Sequence, residues 1–267
     1  ARAGRGGAAA PRRASSTTTG VCRRRRAGMR YSYPRMSVDL LVFGPHPDDI
    51  EIGMAGTIAR HVADGWKVGL CDLTAGELGS NGTPDERRAE AREAADVLGA
   101  AWRENLGWPD GGITADFVPQ AVDVIRRHRP SVVAVPYWDD RHPDHVAACR
   151  VLQEAVFRSG LRRYAAALEA WRVDWICYYF INQSTTPSFV VDVSAHYEKK
   201  RQALRCHRTQ FTPSGGDAVQ TRLTASSFFQ LIESRDAQFG AQIGVPFAEG
   251  FIVREPIERL NLFRKPS

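Results

Sequence analysis

"FGPHPDDIEIG", residues 43–53, places a histidine, two aspartates and a glutamate between an apolar run and the start of a helical pattern. The apolar, β-branched residues 38–43 predict a buried strand, and residues 50–62 repeat apolar side chains at helical spacing. The polar residues therefore lie at a strand-to-helix junction. In an open α/β sheet this junction, at the carboxyl end of a strand, is where ligands bind.

A second junction of the same kind follows later in the chain. "SVVAVPY", residues 131–137, predicts another buried strand, and "WDDRHPDHVAACR", residues 138–150, places polar residues at the start of another helix. A further strand at 67–74 and helices at 84–98 and 117–127 alternate along the sequence. This alternation predicts βαβ units and a parallel sheet. We therefore expect an α/β, three-layer Rossmann-like fold with a mostly parallel sheet.

The last third of the chain predicts a smaller region of the same domain. "WICYYFI" (175–181) and "SFVVDVS" (188–194) are strand-like, and two helices follow them. We expect this region to lie over the carboxyl edge of the sheet. Right-handed crossovers bring the carboxyl ends of the strands at 38–43 and 131–137 to that same edge.

The two polar clusters share one pattern, HPDD at residues 46–49 and HPDH at residues 142–145. In each, the proline fixes its own φ and restricts the residue before it, which gives a rigid turn. Two histidines and one carboxylate with an open position form the ligand set of catalytic zinc sites. That set can be drawn as His46, Asp49 and His145. One such cluster alone is more often a polar turn or a helix cap, but two at the carboxyl ends of two predicted parallel strands favour a metal site.

The net charge of +6 is concentrated at the N-terminus. Residues 1–38 hold ten arginines and no acid, so that subtracting them leaves −4 for residues 39–267. Residues 1–36 are poor in aliphatic side chains and are expected to be a disordered basic extension. They resemble a transit peptide or translated upstream sequence that precedes a start at Met29 or Met36. Residues 37–267 are expected to form a single domain.

Several other classes of protein are disfavoured by the sequence. No apolar run reaches the roughly 20 residues needed to span a bilayer, and neither junction carries a GxGxxG or a Walker lysine. The cysteines after the basic segment are scattered, as in a reducing compartment. We therefore expect a cytoplasmic protein that binds neither nucleic acid nor membrane. These cysteines are Cys71, Cys149, Cys177 and Cys206.

The motifs resemble those of the PIG-L/LmbE-type zinc-dependent N-deacetylases. The resemblance rests on HPDD and HPDH, on "CDLTAGELGSNGTPDERRAEA" (71–91) and on "QIGVPFAEGF" (242–251), and it covers about residues 38–255. The last two stretches are most similar to the bacillithiol-pathway branch, which deacetylates N-acetylglucosaminyl-malate. The resemblance implies a Zn2+ cofactor, a small N-acetylglucosamine (GlcNAc) conjugate as substrate, and a homo-oligomer, either trimer or hexamer.

The resemblance also implies roles for individual residues. His46, Asp49 and His145 match the zinc ligands of the family. Asp48 matches its general base, and His142 matches the residue that stabilises the oxyanion and protonates the leaving amine.

Three further positions carry expected roles. Asp144 belongs to the expected catalytic group, where it orients a neighbouring histidine. Arg87 and Arg141 are expected to bind substrate, with Arg87 holding a malate carboxylate. Some relatives have a tyrosine where this chain has Asp140, so that Tyr137 or His207 would have to supply an equivalent group.

The expected reaction is hydrolysis of the acetamide of GlcNAc-malate to glucosaminyl-malate and acetate. One alternative is the same chemistry on another GlcNAc derivative, of mycothiol, chitooligosaccharide or glycolipid type. The alternative from a different class is a nucleotide- or nucleic-acid-binding Rossmann-like protein, which only the fold type and the basic segment favour.

Overall fold

The computed structural model describes residues 36–213, 215–216 and 218–258, together with Ala1. The chain divides into two units, Ala1–Pro34 and Arg35–Ser267, and every described helix and strand lies in the second. The basic extension expected at residues 1–36 lies almost entirely outside the described residues, so its disorder stays a prediction.

A seven-stranded sheet forms the centre of the described chain, in the order β3-β2-β1-β4-β5-β7-β6. The first five strands pair in parallel, whereas β7 is antiparallel to both β5 and β6. The expected α/β, mostly parallel sheet is confirmed. The expectation of a smaller region over its carboxyl edge is wrong for the two strand-like stretches at 175–181 and 188–194, because their backbones pair within this same sheet. The strands are β1 Leu40–Gly44, β2 Val68–Thr74, β3 Trp102–Trp108, β4 Val132–Pro136, β5 Trp175–Tyr179, β6 Phe189–Asp192 and β7 Ala248–Ile252.

Helices cover both faces of the sheet and complete the three layers. The helices are α1 Asp49–Ala63, α2 Pro84–Leu98, α3 Val118–His128, α4 Pro143–Ser159, α5 Tyr197–Cys206, α6 Arg208–Phe211 and α7 Ser226–Ala241. One apolar core lies under α1, α2 and α5, and the other lies under α3 and α4. Helix α7 packs against β7. None of these helices has the length and apolar content needed to cross a membrane.

Two strands were not predicted from the sequence, β3 and β7. The β3 sequence "WRENLGW" and the β7 sequence "AEGFI" contain charged residues where a buried strand is usually apolar. In the structure the Arg103 side chain pairs with Glu51 and Asp72, and Glu249 is fully buried among partners. Ion pairing therefore permits burial that the pattern alone does not predict.

The strand order places a topological switch point between β1 and β4. From β1 the chain proceeds outward to β2 and β3, and β4 and β5 extend the sheet on the other side. Leu40 pairs with Val132, so β1 and β4 end side by side. A crevice forms at the carboxyl ends of strands where the direction of winding reverses. HPDD follows β1 and HPDH follows β4 at this point.

Candidate functional site

A cavity of about 490 Å³ opens at this switch point. Its volume is within the range of small-molecule sites, about 300–1,000 Å³. The HPDD and HPDH turns lie beside each other in its wall, and the rest of the lining comes from segments after β2, β3 and β5, from α6 and from the segment before α7. The polar lining residues are His46, Asp48, Asp49, Arg87, Asp110, Arg141, His142, His145, Asn182, Gln210, Thr221 and Arg222.

The HPDD turn aims two carboxylates in different directions. Asp48 has φ 120°, in a region that non-glycine residues rarely adopt, and it immediately precedes α1. Asp49 is the first residue of α1, and its Oδ2 accepts a hydrogen bond from the His46 backbone N–H at 2.9 Å. The same Oδ2 lies 3.0 Å from His46 Nδ1. The turn thus holds the Asp49 carboxylate against the His46 ring.

The HPDH turn brings a second histidine to the same carboxylate. His145 Nε2 lies 3.2 Å from Asp49 Oδ2, so one carboxylate oxygen lies beside two imidazole nitrogens. His142 joins them, because donor atoms of His46, His142 and His145 all lie within 4.8 Å of one another. The three side chains drawn as a ligand set from the sequence therefore converge, and His142 is beside them.

A layer of carboxylates lies behind the two inner histidines. Asp110 Oδ1 and Asp144 Oδ2 lie 3.2 and 3.4 Å from His46 Nε2. Asp140 Oδ1 lies 3.1 Å from His145 Nδ1. Metal-binding histidines usually direct their second nitrogen to a carboxylate, which fixes the ring and its tautomer. His46 Nδ1 and His145 Nε2 face Asp49, whereas His46 Nε2 and His145 Nδ1 face the carboxylates of Asp110, Asp144 and Asp140. This donor set therefore fits a metal ion.

The electrostatics of the cluster also favour a cation. Burial lowers the pKa of His46, but its hydrogen bonds to carboxylates outweigh burial and hold that pKa well above its usual value. Burial likewise lowers the pKa of His145, but attraction to Asp49 and the hydrogen bond to Asp140 raise it to about 9. An environment that favours a protonated imidazole also favours a metal cation. The residues can therefore hold a metal ion.

Asp48 is buried beside Arg87 rather than beside the histidines. Burial raises the pKa of Asp48 to about 6, although the Arg87 charge acts to lower it. Arg87 Nη2 lies 3.4 Å from Asp48 Oδ2 and also donates to the Pro47 carbonyl at 2.8 Å. Arg87 Nη1 donates to the Gly76 carbonyl at 2.9 Å. Arg87 lines the cavity as expected, but both terminal nitrogens of its guanidinium group donate hydrogen bonds to backbone carbonyls.

His142 presents one nitrogen to the cavity. Its Nδ1 accepts a hydrogen bond from the Asp144 backbone N–H at 3.2 Å. A neutral ring with an accepting Nδ1 carries its proton on Nε2. Burial lowers the pKa of His142, and the nearby charges of His46 and His145 lower it further. His142 can therefore donate a hydrogen bond into the cavity while it is neutral.

The sequence did not assign a role to Asp110, Asp140 or Arg222. Asp110 follows β3, a strand that the pattern did not reveal, and Arg222 comes from the segment before α7. Asp140 was noted only as a departure from the tyrosine of some relatives. In the structure it also accepts hydrogen bonds from the backbone N–H groups of His142 and Asn182. The doubling of acids in "WDDRHPDH" was the available signal for Asp140.

Two residues considered for an auxiliary role lie elsewhere. Tyr137 packs against Trp138 and Phe180, and His207 is fully buried with Nε2 3.3 Å from Glu51 Oε2. Neither is among the described residues that line the cavity.

Comparison with known proteins gives one consistent family. Residues 41–156 match PIG-L, described as GlcNAc-PI de-N-acetylase. The chain is 31% identical over 228 residues to a diacetylchitobiose deacetylase of Thermococcus kodakarensis, covering 79% of this chain and 81% of the relative. It is 30% identical to a 1D-myo-inositol 2-acetamido-2-deoxy-alpha-D-glucopyranoside deacetylase of Saccharopolyspora erythraea, covering 66% of this chain and 85% of the relative.

Solved structures share the fold of this chain. A conserved protein of Thermus thermophilus is 38% identical with a TM-score of 0.78, and the match covers 85% of this chain and all of that one (100%). The N,N'-diacetylchitobiose deacetylase of Pyrococcus horikoshii is 25% identical with a TM-score of 0.69, covering 79% of this chain and 82% of that one. The chain belongs to the PIG-L family and is a hydrolytic N-deacetylase.

Proposed function

We propose that the protein is a zinc-dependent deacetylase of GlcNAc conjugates, with N-acetylglucosaminyl-malate as its preferred substrate. The names of its relatives support the sugar, because both curated enzymes described above act on N-acetylated glucosamine derivatives. The charge distribution of the cavity supports the malate. We propose a cytoplasmic homo-oligomer, trimer or hexamer, on the family resemblance alone.

His46, Asp49 and His145 would hold the zinc ion. Two imidazoles and one carboxylate leave a position open for water or substrate, as catalytic zinc sites require. Bound zinc would polarise the acetamide carbonyl and increase the acidity of water. Asp110, Asp144 and Asp140 would fix the ligand rings from behind.

Asp48 and His142 would move the protons. Asp48 accepts a proton from the attacking water, for which its raised pKa makes it a better base than an ordinary aspartate. Water adds to the carbonyl carbon, and the Nε2–H of His142 donates to the oxygen as negative charge develops there. The C–N bond then breaks as the Nε2–H of His142 is donated to the amine nitrogen, and His142 Nε2 regains the proton that Asp48 took from the water. The products are acetate and the free glucosamine conjugate.

The single observation that carries the malate assignment is the pair of arginines at the mouth of the cavity. The carboxylates that line the cavity lie at its floor, around the histidines. Arg141 and Arg222 lie in its outer lining and are exposed. An arginine fork binds a carboxylate through two parallel hydrogen bonds. Malate carries two carboxylates. A substrate with an anionic aglycone therefore places its charge where the protein is cationic.

A second candidate is a neutral aglycone, inositol or a further sugar. The relatives favour it, since one is named for an inositol conjugate and the other for diacetylchitobiose. The discriminating experiment measures kcat/KM on GlcNAc-malate, the inositol conjugate, diacetylchitobiose and free GlcNAc. We expect GlcNAc-malate to exceed each of the others by at least about tenfold, equivalent to about 1.4 kcal/mol. A preference for either neutral conjugate would replace the malate assignment.

Substitution of the mouth arginines provides a second, residue-level prediction. Arg141→Ala and Arg222→Ala should each lower kcat/KM for GlcNAc-malate by at least about tenfold and change that for free GlcNAc less than about twofold. The physical reason is that each substitution removes a carboxylate partner without touching the reacting amide. Arg162→Ala, at an exposed arginine just after α4, is the control. Equal losses on both substrates would mean that the arginines contact the sugar.

Arg87 should behave differently from the mouth arginines. Its fork bonds to the carbonyls of Gly76 and Pro47 and lies beside Asp48, so it supports the base and its turn. Arg87→Ala should therefore lower kcat/KM by at least about tenfold and by the same factor on charged and neutral substrates. Arg88→Ala, at a half-buried helix neighbour, should change little. A loss confined to GlcNAc-malate would instead support the carboxylate-binding role expected from the sequence.

A further inference from the structure

Helix α1, which begins with Asp49, is broken after its first turn. Met54 has φ −151° and ψ 23°, outside helical geometry, so the segment Asp49–Gly53 is a separate turn. In an unbroken helix the Gly56 N–H would donate to the Ile52 carbonyl. Here both groups bond to charged side chains from the last third of the chain.

Three side chains meet at the break. The Ile52 carbonyl accepts from Lys200 Nζ at 3.2 Å and from Arg235 Nη2 at 2.7 Å. On the other side, Glu249 Oε1 accepts from the Gly56 N–H at 3.0 Å, and its Oε2 accepts from the Thr57 N–H at 2.6 Å. The Ile52 carbonyl and the Gly56 and Thr57 N–H groups thus make charge-assisted hydrogen bonds, which are about twice as strong as neutral ones.

Together with Asp236, these three side chains form one buried cluster, which we call the clamp: Lys200, Arg235, Asp236 and Glu249. Lys200 Nζ lies 2.7 Å from Asp236 Oδ2 and 2.7 Å from Glu249 Oε1, and these three residues are 0% exposed. Arg235 Nε lies 3.1 Å from Asp236 Oδ1. Buried charges are costly and contribute little net stability compared with apolar residues of the same size. Such a cluster is better suited to fixing one geometry.

The turn that the clamp holds carries the proposed chemistry. Asp49 begins it, and the Ile52 N–H donates to the Asp48 carbonyl at 3.0 Å. Behind it, a Cβ at Gly53 would come within 2.1 Å of Tyr179 Cδ2, so the turn lies directly against β5. Because the break separates this turn from the rest of α1, contacts from outside α1 must set its position.

We propose that Lys200, Arg235 and Glu249 are positioning residues that fix the Asp48–Asp49 turn, so that α5, α7 and β7 determine the geometry of the metal site. The proposal rests on the ligand role of Asp49 in the proposed function. It gives the C-terminal third a role in the reaction although the clamp does not line the cavity.

The test measures Zn2+ affinity of the apoenzyme by competition with a chromophoric chelator, together with kcat and KM on the best of the four substrates above. Arg235→Met and Glu249→Gln should each weaken Zn2+ binding at least tenfold and lower kcat at least tenfold, with KM changed less than threefold. Arg235→Lys, which keeps one donor and the charge, should recover part of both losses.

Arg201→Met is the matched control. Arg201 joins α5 to α7 through Glu233 at 2.8 Å, and its other charged and ring partners among the described residues are Glu198, Tyr197 and Phe247, all outside α1. It should keep Zn2+ affinity and kcat even if its thermal midpoint falls.

Clamp variants that melt earlier but retain zinc affinity and kcat while folded would overturn the proposal, because the cluster would then be structural only. If Arg235→Met does not fold, Glu249→Gln, which keeps the side-chain volume, decides the outcome. Zinc binding that is unchanged in Asp49→Ala would refute the ligand assignment in the proposed function, an outcome that the clamp variants alone cannot produce.

Discussion

Asp48→Asn is expected to bind Zn2+ as tightly as the wild type and to lose at least about 10²-fold in kcat, the lower end of what a general base contributes. Asp48 Oδ2 faces Arg87, whereas Asp49 Oδ2 faces the two inner histidines. Asparagine keeps the size of the side chain and tolerates positive φ better than most residues. The substitution therefore removes proton acceptance without disturbing the turn.

Metal content by atomic emission and kcat at saturating substrate are the two measurements. The structure predicts that kcat falls while the metal content stays the same. Loss of zinc from Asp48→Asn, with zinc retained in Asp49→Ala, would show that the assignments of base and ligand must be exchanged.

The second large effect is expected at the ligand set. His46→Ala, Asp49→Ala and His145→Ala should each weaken Zn2+ affinity by more than about 10²-fold and abolish measurable turnover. Loss of an outer carboxylate typically costs 10–100-fold. Asp140→Asn replaces the carboxylate beside His145 Nδ1, which also accepts from the backbone N–H groups of His142 and Asn182, and it should therefore fall between these variants and the wild type.

Chelator competition on the apoenzyme measures this series without substrate. His61→Ala is the control for non-specific binding, because His61 bonds to the Thr57 carbonyl within α1 and does not line the cavity. Zinc binding that is retained in Asp49→Ala but lost in His142→Ala would instead favour a ligand set of three histidines, His46, His142 and His145, whose donor atoms also converge.

Local sequence determined the framework of the site. Apolar runs before HPDD and HPDH predicted β1 and β4, and helical spacing after them predicted α1 and α4. The helix predicted at 84–98 is α2, and the Thr83 and Glu86 side chains form a capping box at its start. These features depend on residues close together in the chain, so pattern and turn chemistry are sufficient to predict them. They also sufficed for the convergence of the histidines, since adjacent parallel strands end at one edge.

Only the tertiary structure decided what surrounds that framework. Asp110 and Asp144 reach His46 from different segments, Arg222 joins Arg141 at the mouth, and the fork of Arg87 bonds to backbone carbonyls rather than remaining free. The break in α1 bonds to side chains about 150–190 positions away. The physical reason is that buried charges depend on partners distant in sequence, which no local periodicity specifies.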